Sequence, residues 1–243
     1  MPILKWTGDQ VPERLYVIGD IHGRADLLDR MLESIANDVA RHPARSAIVT
    51  VGDYVDRGPD SRGVLERLID PGLGIPLHAL YGNHEQMLQG FLENPRANQS
   101  WLRQGGLDTL ASYGVPINQA MVGKGISAAA ETLEWLMPPH HRRFIEAMPT
   151  AIMLPGVFIC HAGVRPGCPL DEQVDEDLLW IRGEFLNSDA DLGSLIVHGH
   201  TITPEIERKP NRIGIDIGAY RSGRLACLII EGQDTYALIA EQK

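Results

Sequence analysis

The sequence predicts a mixed α/β (α+β) fold in which two strand-rich halves pack as a β-sandwich with helices outside. Three observations predict it. Short apolar runs alternate three times with amphipathic helical segments before residue 95, the pattern of βαβ units and a largely parallel sheet. From Thr150 the chain turns β-rich, with a hairpin signal at Pro155-Gly156. Five strand-to-loop junctions carry glycine together with aspartate, asparagine or histidine, so one edge of the sheets gathers oxygen and imidazole donors.

Taken in order, Leu15–Ile18 is a β-forming run that ends at Gly19-Asp20. Leu27, Leu28, Met31, Leu32, Ile35 and Val39 follow at spacings of three and four, one face of a helix. Ala47–Val51 is a second buried strand, ending at Gly52-Asp53, and Val64, Leu65, Leu68 and Ile69 mark a second helix. Leu77–Tyr81 is a third strand, ending at Gly82-Asn83, and Glu85–Asn94 a third helix with Met87, Leu88, Phe91 and Leu92 on its apolar face. Residues 98–149 read as three short helices in an insertion, broken at Gly105-Gly106, Gly114-Val115-Pro116 and Pro138-Pro139. Ala151–Leu154 and Val157–Cys160 form the hairpin, and a long loop, Gly163–Val174, follows. Asp177–Trp180 is helical, and Leu195–His198, Ile213–Ile217, Leu225–Ile230 and Thr235–Ala240 are strands, the last two paired about Gly232. No fixed-period repeat occurs, and residues 1–243 are expected to form one domain carrying the insertion at about 98–149.

The formal charge of −10 argues against a nucleic-acid partner. It says little about the cleft, where two divalent ions would add about four positive charges. Three cysteines, Cys160, Cys168 and Cys227, with no CxxC spacing, give no disulfide framework and suit a reducing compartment. The N-terminus lacks the apolar run of about 7–15 residues of a signal peptide, and no stretch approaches the ~20 residues that span a bilayer. A cytoplasmic protein with no membrane partner is expected.

Ligands of open α/β sheets bind outside the carboxyl ends of strands. Asp20, His22, Asp53, Asn83, His161 and His200 sit at such ends and are the candidate metal ligands. Their mixture of hard oxygens and imidazoles, without thiolate, suits Mn²⁺, Fe²⁺ or catalytic Zn²⁺ better than a structural zinc. Asp20 and His22, two apart, would share one side of an extended backbone; by the same rule Cys160 points away from His161 and is a core residue. Asp53, on the central strand end, is the candidate bridge between two cations. Two metals roughly 3.5–4 Å apart can generate hydroxide at neutral pH and clamp phosphoryl oxygens. Arg57, four residues on, offers a guanidinium fork to a phosphate, and Arg182 is a second candidate for that role. His84 could protonate a leaving alkoxide, with Asp56 orienting and charging it.

Any one of these fragments alone is more often a turn or an N-cap; their ordered recurrence carries the reading. His198 is assigned a supporting rather than a ligating place, and His42, His78, His140 and His141 to the surface. Trp101, Trp135 and Trp180 read as packing, the Asp171–Asp177 acidic run as solvated, and Arg142 and Arg143 as exposed helix charges.

Gly19–Gly23, Gly52–Gly58 and Gly82–Glu85 resemble the three signature motifs of the phosphoprotein phosphatase family of metallophosphoesterases. Trp101-Leu-Arg-Gln-Gly-Gly, Ile159-Cys-His-Ala, Leu179-Trp-Ile-Arg, Gly199-His-Thr and Ile215-Asp-Ile-Gly-Ala resemble its bacterial and lambda-phage branch. The similarity runs from about Leu15 to Gly232. It implies a four-layer αββα calcineurin-like sandwich and a binuclear centre, usually Mn²⁺. It implies Asp20, His22 and Asp53 on one metal, and Asp53, Asn83, His161 and His200 on the other. Arg57 and Arg182 would hold phosphate and His84 with Asp56 would serve the leaving group. The chain departs from the family at His161-Ala-Gly and at Trp180-Ile-Arg-Gly-Glu, the segment that carries Arg182. The eukaryotic regulatory extension is missing, so no regulatory subunit is implied.

The expected activity is hydrolysis of phosphoserine and phosphothreonine in proteins by hydroxide held between the metals. The alternative is symmetrical diadenosine tetraphosphate hydrolysis on the same fold. Tyr54-Val-Asp56-Arg favours the phosphatase, because the hydrolases tend to replace this aspartate. A phosphoprotein-binding module without catalysis would be expected to have lost ligands, and all six are present.

Overall fold

The computed structural model describes residues 1–117 and 125–242. Strand alternation dictates its layers. In β2 (Arg14–Ile18), Leu15 and Val17 face one way and Tyr16 and Ile18 the other, and all four are buried. A strand buried on both faces needs a partner layer on each. Leu15 and Val17 join an apolar layer with Val49, Leu228, Ile152, Ile159, Val197 and Ile213, between two sheets. Tyr16 and Ile18 join a second layer, with Leu27, Leu28, Met31 and Leu65, beneath helices. In β6 (Val157–Cys160), Val157 and Ile159 enter the inter-sheet layer, while Phe158 and Cys160 face a third cluster with Leu178 and Phe185. The result is two mixed sheets flanked by helices, as the sequence predicts, with Cys160 in the core.

One sheet has the order β11-β10-β2-β3-β4, the other β1-β5-β6-β7-β9-β8. In the first, β2 pairs in parallel with β3 (Ser46–Thr50), which pairs in parallel with β4 (Leu77–Ala79). On its other side β2 pairs antiparallel with β10 (Arg224–Glu231), which forms the expected hairpin with β11 (Asp234–Glu241) about Gly232. In the second sheet β5 (Ala151–Leu154) and β6 form the other expected hairpin. There β7 (Leu195–His198) and β9 (Arg212–Gly214) run parallel to β6. Two strands escaped the sequence pattern because they are so short: β1 (Ile3–Lys5) and β8 (Glu207–Arg208).

The crossover helices are α1 (Ala25–Arg41) and α2 (Ser61–Ile69), each laying its apolar stripe on the sheet, and α3 (Asn83–Glu93) follows β4. The expected boundaries shift at the strand ends. β3 and β4 stop at Thr50 and Ala79, although Val51 and Leu80 still donate to neighbouring carbonyls at 3.1 and 2.9 Å. α3 begins two residues early, so Asn83 and His84 belong to its first turn rather than to a loop.

The insertion has a π-helical stretch, Leu102–Gly106, leading into α4 (Leu107–Ser112), then α5 (Gly125–Leu136) and α6 (Pro139–Glu146). Breaks fall at the glycines and prolines expected: Gly105 has φ 113°, Gly114 φ 81°, and Pro138-Pro139 separates the last two helices. Gly105 has a further reason to be glycine. A Cβ there would run into the backbone nitrogen of Arg57, whose N–H donates to the Gly105 carbonyl. The remaining helices are short: α7 (Asp175–Trp180), α8 (Gly183–Leu186) and α9 (Ala219–Ser222). No helix among the described residues is long and apolar enough to cross a membrane.

Candidate active site

The strand-end junctions do converge, because backbone hydrogen bonds tie them to one another. Ile21 and His22 donate to the Asp53 carbonyl at 3.1 and 2.8 Å, and Gly199 donates to the His161 carbonyl at 2.8 Å. Asp20 Oδ2 accepts from the His200 backbone at 2.9 Å, joining the two sheets directly. A Cβ on Gly199 would collide with Asp20 Oδ1, so this close approach requires glycine.

Asp53 stands at the centre, and its two carboxylate oxygens address different sets of donors. Oδ2 lies 3.4 Å from His22 Nε2 and 3.9 Å from His84 Nε2. Oδ1 lies 3.4 Å from His161 Nε2 and accepts from the His84 backbone at 3.0 Å. On the second side, Asn83 Oδ1 is 2.8 Å from His161 Nε2 and 3.0 Å from His200 Nδ1, and the two imidazole nitrogens are 3.1 Å apart. The far nitrogens of two rings are fixed by carbonyls: His22 Nδ1 donates to Val55 at 2.8 Å and His161 Nδ1 to Val51 at 3.0 Å. Each ring thereby aims an Nε2 lone pair inward, with its other nitrogen held by a carbonyl as metal-ligating histidines are.

This donor set fits divalent cations. Asp20, Asp53, Asp56, Glu85 and Asp216 are all buried around the centre. Asp20 is pushed well above the usual carboxylate range by burial and by the charges of Asp216 and Asp53. Burial alone would raise Asp53, but the facing imidazoles of His161, His84 and His22 hold it well below that range. Burial, with His161 beside it, lowers His200, and its Nε2 has no partner. Asp20 Oδ1 also lacks one. Buried carboxylates in this number are compatible with ionisation when cations lie among them.

Asp56 and His84, both buried, form a distinct group with the partly exposed Arg57. His84 Nδ1 is 2.6 Å from Asp56 Oδ2, and Trp101 Nε1 donates to the same oxygen at 2.7 Å. Thr109 donates to Asp56 Oδ1 at 2.6 Å, while the Asp56 backbone N–H reaches both Thr109 and Ser61 hydroxyls. Burial would lower His84, but Asp53 and the hydrogen-bonded Asp56 outweigh it and raise the imidazole above its ordinary value. The half-buried Arg57 donates to Nε2 of His22 and of His84, at 2.7 and 2.8 Å. A cation on His22 Nε2 would have to take the place that the Arg57 guanidinium holds there. Arg182 stands apart, exposed at the rim, donating to Thr201 Oγ1 at 2.9 Å.

Several further residues shape the site, three of them (Glu85, Asp216 and Trp101) from inside the segments Gly82–Glu85, Ile215-Asp-Ile-Gly-Ala and Trp101-Leu-Arg-Gln-Gly-Gly. Glu85 accepts from the backbone N–H groups of Gly82, Asp53, Tyr54 and Val55, at 3.1, 2.9, 2.8 and 3.2 Å. The signal was available, since a Glu three residues beyond the residue preceding a helix is a capping-box position. Asp216 is buried beside the centre and accepts from Gly218 at 2.8 Å. Tyr220 lies under the Arg57 guanidinium, 5.1 Å from ring centroid to Cζ, and edge-on to His22. Trp101 packs, as expected, but also holds Asp56. Trp180 donates to Gln86 at 2.7 Å.

Four expectations need correction, the first being that Trp135 packs: it is 83% exposed. Asp20 and His22 do not share a side through extended backbone: His22 has φ 46° and reaches the centre through a left-handed turn. His141 is buried, not on the surface, whereas His140, Arg142 and Arg143 are exposed. In the acidic run Asp177 is buried, accepting from Nε and Nη2 of Arg165 at 2.7 and 2.5 Å. His198 donates to the Gly199 carbonyl at 3.0 Å and packs edge-on against Phe185.

A sequence model of the family described as calcineurin-like phosphoesterase matches residues 13–211. Serine/threonine-protein phosphatase 2 of Escherichia coli (strain K12) is 27% identical over 226 residues, 87% of this chain and 90% of that protein. The symmetrical bis(5'-nucleosyl)-tetraphosphatase of Acidovorax sp. (strain JS42) is 30% identical over 161 residues, 55% of each chain. The fold resembles the crystal structure of a protein assigned provisionally as a diadenosine tetraphosphatase, with TM-score 0.67 and 21% identity over 99% of both chains.

Proposed function

The chain belongs to the calcineurin-like phosphoesterase family, and we propose that within it this protein is a binuclear metal-dependent phosphatase of phosphoserine and phosphothreonine in proteins. Residues 1–243 act in this reading as one metallophosphoesterase domain, with the helical insertion supplying supports for the site. Asp20, His22 and Asp53 hold one divalent ion, and Asp53, Asn83, His161 and His200 the other. Mn²⁺ suits the oxygen and imidazole donors, with Fe²⁺ and Zn²⁺ as the competing ions. When bound, such a pair supplies a nucleophile from water at neutral pH and neutralises charge on the phosphoryl oxygens.

The chain's own residues do the rest. Arg57 turns from the two imidazoles towards the phosphoryl group and grips it through its planar fork, with Arg182 approaching from the rim. His84, raised by Asp53 and Asp56, carries a proton on Nε2 for the leaving oxygen, while Asp56 holds Nδ1 and fixes the ring. Asp56 is itself held by Trp101, Thr109 and Ser61.

The observation that carries the phosphatase reading is this buried His84–Asp56 pair. A serine or threonine alkoxide is a poor leaving group and needs a proton as it departs. A nucleotide leaving from a polyphosphate is already a stable anion and gains little from one. The symmetrical tetraphosphatase among the relatives supports the second reading, dinucleoside tetraphosphate hydrolysis. Turnover of phosphoserine and phosphothreonine peptides should be compared with that of diadenosine tetraphosphate, with Mn²⁺ and with chelator. The proposal expects metal-dependent peptide turnover; activity confined to the dinucleotide would replace it with the second reading.

A further inference from the structure

We propose that Glu66, His140 and His141 form an additional binding site for a divalent transition metal, of which Zn²⁺ is the best-suited ion, separate from the strand-end centre. Glu66 lies on the exposed side of α2, and the two histidines on the first turn of α6. Glu66 Oε1 is 3.0 Å from His141 Nε2, and Oε2 is 3.3 Å from His140 Nε2. The three donors all lie within 4.8 Å of one another. Two imidazoles and a carboxylate are a set that late first-row divalent ions bind well, with water completing the shell from the open side.

His141 distinguishes this cluster from an ordinary surface ion pair. It is fully buried, and its Nε2 has no hydrogen-bond partner although a Glu66 oxygen is at contact distance. The oxygen lies off the direction in which the ring can donate. A proton on this nitrogen would therefore be orphaned, whereas a lone pair there can be taken by an ion seated between it and Glu66. The other ring nitrogen supports that state: Nδ1 is 2.7 Å from the Tyr113 hydroxyl, a partner able to accept its proton and orient the ring. Ion pairing accounts for the approach of both imidazoles to Glu66, but leaves the buried His141 Nε2 without a hydrogen bond. A bound ion accounts for all three side chains and for Tyr113.

An ion here would join α2, α6 and, through Tyr113, the end of α4. α2 and α4 also carry Ser61 and Thr109, the two hydroxyls that hold Asp56. The site would thus fasten the insertion to the helices that support the His84–Asp56 pair.

The test is equilibrium dialysis of the full chain against Zn²⁺, counting bound zinc, with Glu66→Gln and His140→Ala beside the wild type. Both side chains are half exposed, so neither change threatens folding. The expected result is one zinc equivalent fewer, or one bound at least tenfold more weakly, in both variants. Zn²⁺ should also raise the melting temperature of the wild type by more than that of either variant. A smaller loss of zinc, or none, in either variant overturns the proposal.

Discussion

At the scale of single residues, backbone conformation marks the site as clearly as side-chain chemistry does. Among the described residues, the non-glycine positions with positive φ are His22, Asp53, Asp56, Arg57 and His200, all of them in the site. Each such conformation costs about 1–3 kcal/mol and persists where surrounding contacts over-determine it. The contacts are visible: Glu85 on Asp53 N–H, Ser61 and Thr109 on Asp56 N–H, Asp20 on His200 N–H. Asp53→Asn removes charge from the one carboxylate that faces both donor sets, so bound metal measured by mass spectrometry should fall and turnover should nearly vanish. His84→Asn should lower phosphopeptide turnover by about 10²–10⁴ while metal content stays near normal. The loss should be much smaller for p-nitrophenyl phosphate, whose leaving group needs no proton; metal loss in this variant would make His84 a ligand. The donor residues were legible because each sits inside a short Gly/Asp/His junction. Asp216 and Trp101 lie in quoted motifs, but their contacts, like those of Tyr220 and Thr109, were not legible, because these residues reach the site from distant segments. His141 was masked by its polar neighbours, although Ile145, four residues on, shares its buried face.

At the scale of elements, the first turn of α3 does two jobs. It presents Asn83 and His84 to the centre, and it sends Glu85 back to gather four backbone N–H groups of the Gly82 and Asp53–Val55 junctions. Glu85→Ala leaves buried donors unsatisfied, each costing about 1–3 kcal/mol, so the chain should lose roughly 3 kcal/mol or more. Urea unfolding measures that loss; a change under 1 kcal/mol would mean the turn holds without its carboxylate. α4 acts at longer range. Thr109→Val removes the hydroxyl between Asp56 Oδ1 and its backbone N–H, and should lower phosphopeptide turnover more than aryl phosphate turnover. The helices and strands themselves were readable from apolar spacing. Their exact ends were not, since β3, β4 and α3 terminate where hydrogen bonds to neighbouring junctions take over.

At the scale of the whole molecule, the layer between the sheets fixes how the two sets of donors meet. Leu228 is fully buried in it, and Leu228→Ala should cost about 2–5 kcal/mol by opening a cavity between the sheets. Four of the proposed ligands, Asp20, His22, Asp53 and Asn83, follow strands of one sheet; His161 and His200 follow strands of the other. Ions held between them would act as rivets across the seam. Their binding free energy adds to folding free energy, so chelation should lower the melting temperature and added Mn²⁺ should restore it. Hydrolysis of a simple aryl phosphate then becomes a gauge of alignment. Any slip of one sheet over the other, by mutation, pressure or denaturant, should silence the enzyme before circular dichroism registers a loss of strands.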